Sequence, residues 1–466
     1  MDRLPHLHQR FSTTFNPSRL LVLLLLAVSF AGEPFALQAQ EPPPRFPNVL
    51  VITVDTLRTD RVSAYGYHRK TSPALDRLIQ QGARFDEARC VEPLTGPSLA
   101  SMLTSVHPHD HGATRNGLAV RPGLTSLGTV LGQRGYRTAA LVSNWTLRSR
   151  LSGLDEHFEE YVEVFTRKRW FGLMNSEATA EDVTTEASQW IRDHAENQGR
   201  RPFLAWVHYV EPHAPYRLHE EQAERLRLGG GELSKSDRYD TEVGFVDQAI
   251  GELLATVEEL YPKNRTVVVF ASDHGENLGE HGYWGHGRHL WEENLRIPLS
   301  ITWPGTIPPQ VVRAPSTNLD IAPTVLGLIG LPIPEGFQGL DWTPILHGDQ
   351  EQPLQRTTHH QAHRGAVHSP KDEDRARRKG LLEVAIVEGQ RKEVLRIKGN
   401  DKHRAYDLST DPGEQKNLVT QSSEASATLA TWLGQVNEGL TAADNLPAPA
   451  LDEESREQLR ALGYLD

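Results

Sequence analysis

The sequence predicts an α/β protein with a doubly wound, mostly parallel sheet flanked by helices, followed by a small C-terminal α+β subdomain. Five apolar, β-branched runs recur along the chain: "NVLVITVD" (48–55), "RTAALVSN" (137–144), "FLAWVHYV" (203–210), "TVVVFASD" (266–273) and "IPLSITWP" (297–304). Runs without polar alternation are strands covered on both faces. Helical patterns such as "SPALDRLIQQGARF" (72–85) and "GFVDQAIGELLATVEEL" (244–260) fall between them, and such alternation builds parallel sheets. Beyond position 380, "EVAIVEG", "KEVLRIK" and "HRAYDL" read as short antiparallel strands, with a helix expected near 423–439.

The elements follow in order. Arg3, Arg10 and Arg19 precede the apolar run "LLVLLLLAVSFA" (20–31), the pattern of a secretory signal peptide over 1–31. Ser29 and Ala31 suit a cleavage site, and Ala39 offers a second; an uncleaved anchor is the alternative, although the run is short for a span. "EPPPRFP" stiffens the linker (32–47) that leads into a catalytic domain expected over 48–354. Residues 355–380 are polar, charged and without periodicity, and read as a long loop. Its histidines, His359, His360, His363 and His368, suggest metal binding only weakly, because no acid or cysteine sets a ligand geometry. A subdomain over 381–440 and a Pro/Ala-rich, acidic tail over 441–466 complete the chain.

Composition narrows the function. The 466 residues are 38% hydrophobic and 24% charged, as in an ordinary globular protein. A net charge of -12 argues against nucleic acid or an anionic membrane surface as a partner. The reading is therefore an exported protein, periplasmic or secreted, with no stable membrane span once the signal is cleaved. Its one cysteine, Cys90, leaves no internal disulfide and reads as a small buried apolar residue.

Three segments carry chemistry. Asp55 closes the first strand, and Asp273 with His274 closes "TVVVFASD". Thr95 precedes Pro97, a natural first residue of a helix. In a doubly wound sheet, strand carboxyl ends and helix amino ends share the edge where ligands bind. Two carboxylates, an imidazole and a hydroxyl there would suit a divalent ion, which lowers the pKa of a bound hydroxyl. Each piece alone is weak, since an Asp ending a strand is often a turn residue and a Thr before a helix is often a cap.

Taken together, "NVLVITVDTLRTD", "TGPSLASMLTS", "GYRTAALVSNW", "YVEPHAPY", "SDHGENLGEHGYWGHG", "EENLRIPL", "LDIAPTVLGLIGLP" and "YDLSTDPGEQKNL" resemble, in order over roughly 48–418, the sulfatase branch of the alkaline phosphatase superfamily. The resemblance implies an alkaline phosphatase-like fold and a metal-dependent ester hydrolase or transferase. It also shows departures. Sulfatases carry a cysteine or serine in a CxPxR pattern that becomes formylglycine; here Thr95 takes that position, Pro97 the proline and Leu99 the arginine. Cys90 is followed by "VEPL" and has neither at the required offsets. The usual paired acids become Asp55 and Thr56, the usual Asp-Asn becomes Asp273-His274, the sulfate-holding lysine and histidine become Asn144 and Thr146, and a second lysine becomes His286.

This set is similar to the phosphate-handling relatives, such as phosphoethanolamine and glycerophosphate transferases, which use a metal-bound threonine and an Asp-His pair. The resemblance implies Asp55, Thr95, Asp273 and His274 as metal ligands, with zinc or manganese favoured and calcium or magnesium possible. It implies Thr95 as nucleophile, with His213 and His286 holding nonbridging oxygens or protonating the leaving oxygen; each alone reads as a loop histidine. Arg58 is a candidate for the cation lost at Leu99, Glu211 for a second metal, and Glu276 and His281 for orienting His274. His111, Arg115 and Asn116 are expected near the site. The expected substrate is a small-molecule, glycan- or lipid-linked anionic ester, phosphate favoured over sulfate. A sulfatase working without formylglycine and an inactive metal-binding member are the alternatives.

Overall fold

The strand β1 (Asn48–Val54) is buried along its whole length, and its alternation divides the molecule into two cores. The computed structural model describes residues 46–169, 174–198, 201–229, 231–352, 355–365, 380–398, 402–419 and 425–443. The expected signal segment, most of the linker and most of the tail lie outside them.

Seven further strands join β1: β2 (Ala83–Phe85), β3 (Arg137–Val142), β4 (Glu160–Glu163), β5 (Phe203–Tyr209), β6 (Thr266–Ser272), β7 (Leu299–Thr302) and β8 (Gln310–Val312). Their order is β8-β2-β7-β6-β1-β5-β3-β4, with β1 between β5 and β6. Every pairing is parallel except those of β7, which runs antiparallel to β6 and β2. "IPLSITWP" is thus a strand of opposite direction, a distinction that apolarity does not encode. The pattern over 72–85 also divides, into a helix α1 (Pro73–Ile79) and the strand β2.

Val49 and Val51 pack in one core with Leu204, Trp206, Val267, Val269, Ala140 and Val142. Leu50, Ile52 and Val54 pack in the other with Phe203, Ala205, Val207, Val268 and Phe270. Successive strand side chains point to opposite faces, so two faces need two helical layers. The helix α2 (Thr95–Thr104) covers the first face through Leu99, Ala100, Met102 and Leu103. It begins at Thr95 itself, two residues before Pro97. The second face is covered by α3 (Ala180–Gln198) and the 26-residue α4 (Lys235–Leu260). A reciprocal cap between Ser234 and Asp237 fixes the start of α4. A short helix, α5 (Ile321–Leu328), packs on the α2 side through Val325 and Leu326.

The C-terminal subdomain is a four-stranded antiparallel sheet: β9 (Thr357–His363), β10 (Leu381–Glu388), β11 (Arg391–Arg396) and β12 (His403–Asp407). The helix α6 (Ala427–Ala443) packs Leu429, Trp432, Val436 and Leu440 on Leu381, Val384 and Ile386. β9 corrects the expected loop over 355–380. "TTHHQAH" shows no strand-like apolar pattern, yet β9 is laced to the segment before α2: His360 Nδ1 lies 2.8 Å from the Cys90 carbonyl, and Gln361 N donates to Val91 O. The burial of His360, Gln361 and His363 rests on these partners, not on apolarity. Of the histidines weighed as metal ligands, His360 is bonded at both nitrogens and His363 Nδ1 lies 3.0 Å from Glu92 Oε2. His368 and most of the expected loop lie outside the described residues.

An ion network joins this subdomain to the preceding domain through Glu292 and Arg89. Lys392 Nζ on β11 is 2.9 Å from both Glu292 and Glu414, and Glu292 also holds Arg89; all four are buried. Removing one partner from such a cluster leaves uncompensated charge in the interior. Lys392→Met, which keeps the aliphatic stem, is expected to lower stability by about 3 kcal/mol. Denaturant unfolding followed by tryptophan fluorescence checks it.

Candidate active site

The two-core alternation brings the site together. Thr53 and Asp55 continue the α2 face of β1, His208 continues that of β5, Asp273 that of β6 and Asn144 that of β3. β1 pairs in parallel with β5, Thr53 opposite His208, and with β6, Val54 opposite Ser272. The strand ends therefore finish level, facing the first turn of α2.

The chain reverses immediately after Asp55. Thr56 has φ 56°, an uncommon value for a β-branched residue. Surrounding bonds hold it there: Thr56 N donates to Asp273 Oδ1 at 3.0 Å, Leu57 N donates to Ser272 Oγ at 3.0 Å, and Tyr239 Oη donates to Thr56 O at 2.7 Å. Functional sites are a usual place for such strain. Asp273 Oδ1 also accepts from His274 N at 2.7 Å, and Asn144 Nδ2 donates to Asp55 Oδ2.

What remains is a cluster of lone pairs. Asp55 Oδ1 and Asp273 Oδ2 are buried without a hydrogen-bond donor. His274 Nδ1 lies 2.9 Å from the Gly275 carbonyl, which can only accept, so Nδ1 carries the hydrogen and Nε2 is bare. Nε2 stands 3.5 Å from Asp273 Oδ2, 3.8 Å from Asp55 Oδ1 and 3.5 Å from Thr95 Oγ1. One ligand atom each from Asp55, Asp273 and His274 lies within 4.8 Å of the others. All four side chains are buried.

The electrostatics agree. Burial, reinforced by Asp273, pushes the Asp55 carboxyl well above its usual range, and burial raises Asp273 as well. Burial pushes His274 down to about 4, which keeps the ring neutral at pH 7. Facing carboxylates and a neutral imidazole match a divalent cation, which would offset the cost of burying both charges. Asp55, Asp273, His274 and the Thr95 hydroxyl are the groups that fit it.

Thr95 is held by what surrounds α2. Ser98 Oγ donates to the Asp273 carbonyl at 2.6 Å, and Asn318 Nδ2 donates to Ser98 O and Oγ. Asn116 Oδ1 accepts from Gly96 N at 3.0 Å, which gives a contact to one of the three residues expected nearby without a role. His111 Nε2 lies 3.0 Å from Ser101 Oγ, a turn further along α2, and Arg115 Nε donates to Arg364 O at 2.5 Å.

Two histidines border the cluster. The His286 ring is 4.4 Å from that of His274 and 5.3 Å from that of His213. Burial pushes His286 down to about 4, and its Nδ1 sits 3.1 Å from Glu276 Oε1. Glu276 therefore contacts His286, not His274 as expected. His281 also departs from its expected place: it stacks on Trp291 at 3.9 Å, with Nε2 3.6 Å from Glu293. Glu211 is buried but stands outside the three-residue ligand cluster. Arg58 does not replace the missing cation. Its guanidinium is directed at Asp60, Glu280 and the Glu276 carbonyl instead. Leu99 is core, and Cys90, fully buried, points its thiol at Asn294 O at 3.6 Å.

The sequence reading missed His208 and Thr53. His208 Nδ1 is 2.9 Å from Thr53 Oγ1, and His208 Nε2 is 4.0 Å from Asp55 Oδ2. The signal was a polar ring inside the apolar run "FLAWVHYV", since a buried histidine requires partners.

Comparison with known proteins agrees with this architecture. A family model described as Sulfatase matches residues 47–331, and one described as N-sulphoglucosamine sulphohydrolase, C-terminal, matches 279–438. An N-acetylglucosamine-6-O-sulfatase of Bacteroides thetaiotaomicron is 26% identical over 88% of each chain, and an ulvan-active sulfatase of Formosa agariphila is 27% identical over 66% of each. A solved structure of a protein in complex with its substrate D-glucosamine-2-N,6-O-disulfate superposes with TM-score 0.69 at 20% identity, covering 86% of this chain and 100% of that one. A putative sulfatase from Bacteroides fragilis gives 0.68 at 20% identity, covering 88% and 100%. The chain belongs to the sulfatase family of the alkaline phosphatase superfamily.

Proposed function

We propose that the protein is an exported, metal-dependent hydrolase or transferase of anionic esters, with Thr95 as nucleophile and phosphate esters preferred. One observation carries the reading: the Thr95 hydroxyl, on the first residue of α2, faces the bare Nε2 of His274 beside two undonated carboxylate oxygens. A threonine cannot become formylglycine, whereas a hydroxyl can form a phosphoester. A divalent cation held by Asp55, Asp273, His274 and Thr95 would lower the pKa of the hydroxyl and draw charge from the nonbridging oxygens.

The residues then divide the work. Thr95 Oγ1, its hydroxyl proton given up to solvent, bonds to phosphorus as the ester P–O bond breaks. The leaving oxygen takes a proton from His213 or His286, whichever the negative charge of the bound ester holds protonated. Water or an acceptor alcohol next attacks phosphorus, releasing Thr95 with the same histidine taking the proton. Asn144, replacing a usual anion-holding lysine, fixes Asp55 instead. The negative overall charge leaves attraction of an anionic ester to the local site. The "LLVLLLLAVSFA" run behind three arginines supports export, and no helix among the described residues is long and apolar enough to cross a membrane. The second reading is sulfate-ester hydrolysis on a glycan, favoured by the sulfated substrates of the relatives.

Two experiments test this. With zinc or manganese, aryl phosphate or phosphodiester turnover is expected to exceed aryl sulfate turnover. Thr95→Ala should lose at least about 10^3-fold in kcat/KM at unchanged Tm. Sulfate turnover that survives Thr95→Ala would overturn the nucleophile assignment. Secondly, zinc at about 100 times its Kd should stabilise the metal-free protein by about 2.7 kcal/mol. Asp273→Asn should abolish that increment and raise the Tm of the metal-free protein, because one of two buried like charges is gone.

A further inference from the structure

A histidine inside a parallel sheet costs free energy unless its ring nitrogens find partners. His208 is fully buried in β5, opposite Thr53 of β1. Only Nδ1 has a hydrogen bond, to Thr53 Oγ1 at 2.9 Å, while Nε2 is buried without one and faces Asp55 Oδ2 at 4.0 Å. No part of the proposed chemistry uses this ring.

The neighbouring bonds assign its hydrogen. Trp206 Nε1 can only donate, and it donates to Thr53 Oγ1 at 2.8 Å. The threonine hydrogen is then available to His208 Nδ1, which makes Nδ1 the acceptor and leaves the ring hydrogen on Nε2. The other tautomer would aim an imidazole lone pair at a buried carboxylate, a repulsive arrangement.

We infer that His208 is a positioning residue for the cation site. Its Nε2–H, directed at Asp55 Oδ2, acts with the Asn144 amide on that same oxygen. Together they fix the plane of the carboxylate and leave Oδ1 as the oxygen turned to the cation. Trp206, Thr53, His208 and Asp55 thus form a polar relay rising through the α2 face of the sheet. Partners behind a metal ligand typically change affinity by about 10–100-fold when removed. The inference rests on the metal reading above, and deepens it by naming what sets the geometry of one ligand.

The test uses the metal-free full chain titrated with Zn2+ and with Mn2+ against a competing chelator. His208→Asn keeps a polar atom near the Nδ1 position for Thr53 but removes the donor toward Asp55. It is expected to raise the metal Kd by about 10–100-fold at unchanged Tm of the metal-free protein. His208→Gln restores a donor near the Nε2 position and is expected to bind metal within about threefold of wild type, a rescue that a merely packing role would not produce. Wild-type affinity in His208→Asn, alongside lost binding in Asp55→Ala, overturns the positioning role and leaves the metal site standing. If the wild-type chain binds neither ion, or Asp55→Ala binds normally, the metal reading falls and this inference with it. If His208→Asn unfolds, the Asn/Gln comparison is replaced by Thr53→Val, which removes the hydroxyl that sets the tautomer. An unchanged Kd in that variant also overturns the proposal.

Discussion

Two carboxylates, Asp55 and Asp273, are buried together, and among the described residues no cationic side chain stands against their facing oxygens. Like charges at such a distance in a dry interior are unfavourable, and the surrounding structure exists to hold them there. The strained turn at Thr56, the amides donated to Asp273 Oδ1, and the Asn144 side chain on Asp55 Oδ2 together engage the outward lone pairs. The inward pair is left facing a bare imidazole nitrogen and a hydroxyl. Arg58 shows the same constraint by its absence: the nearby guanidinium is spent on Asp60 and Glu280. A divalent ion is a group that this arrangement would fit.

The position of Thr95 depends on a different set of contacts. Thr95 belongs to α2, whose first turn is tied to β6 by Ser98 and Asn318 and to a loop by Asn116. The segment leading into it, Cys90 to Glu92, lies along β9 of the C-terminal sheet, with His363 N donating to Glu92 Oε1 at 2.7 Å. The small subdomain therefore braces the segment leading into Thr95 from behind, and the buried Lys392 network ties it to Glu292 and Arg89. Distant sequence is coupled to the site through packing and hydrogen bonds.

Under the proposed function, family membership and active-site chemistry separate. The sheet and the helical layers follow the sulfatase pattern, while the resemblance reads the positions that bind sulfate and generate formylglycine as replaced together. Leu99 has become core and Asn144 a carboxylate holder. A fold hosts more than one chemistry, and the side chains at its carboxyl edge decide which.

The sequence alone determined five of the eight strands of the main sheet, their burial on both faces and the residue types that close them, because these are encoded by local apolar runs and by the residues at their ends. It could not reveal β9, whose polar residues are buried only through partners some 270 positions away. Nor could it reveal the reversed direction of β7, since strand direction leaves no mark in composition. The roles expected for Arg58, Glu276 and His281 were decided by which acceptor each side chain reaches, and His208 was hidden among core residues for the same reason. Tertiary structure alone set these, because a hydrogen bond or ion pair depends on distances of a few ångströms between segments that the chain brings together only on folding.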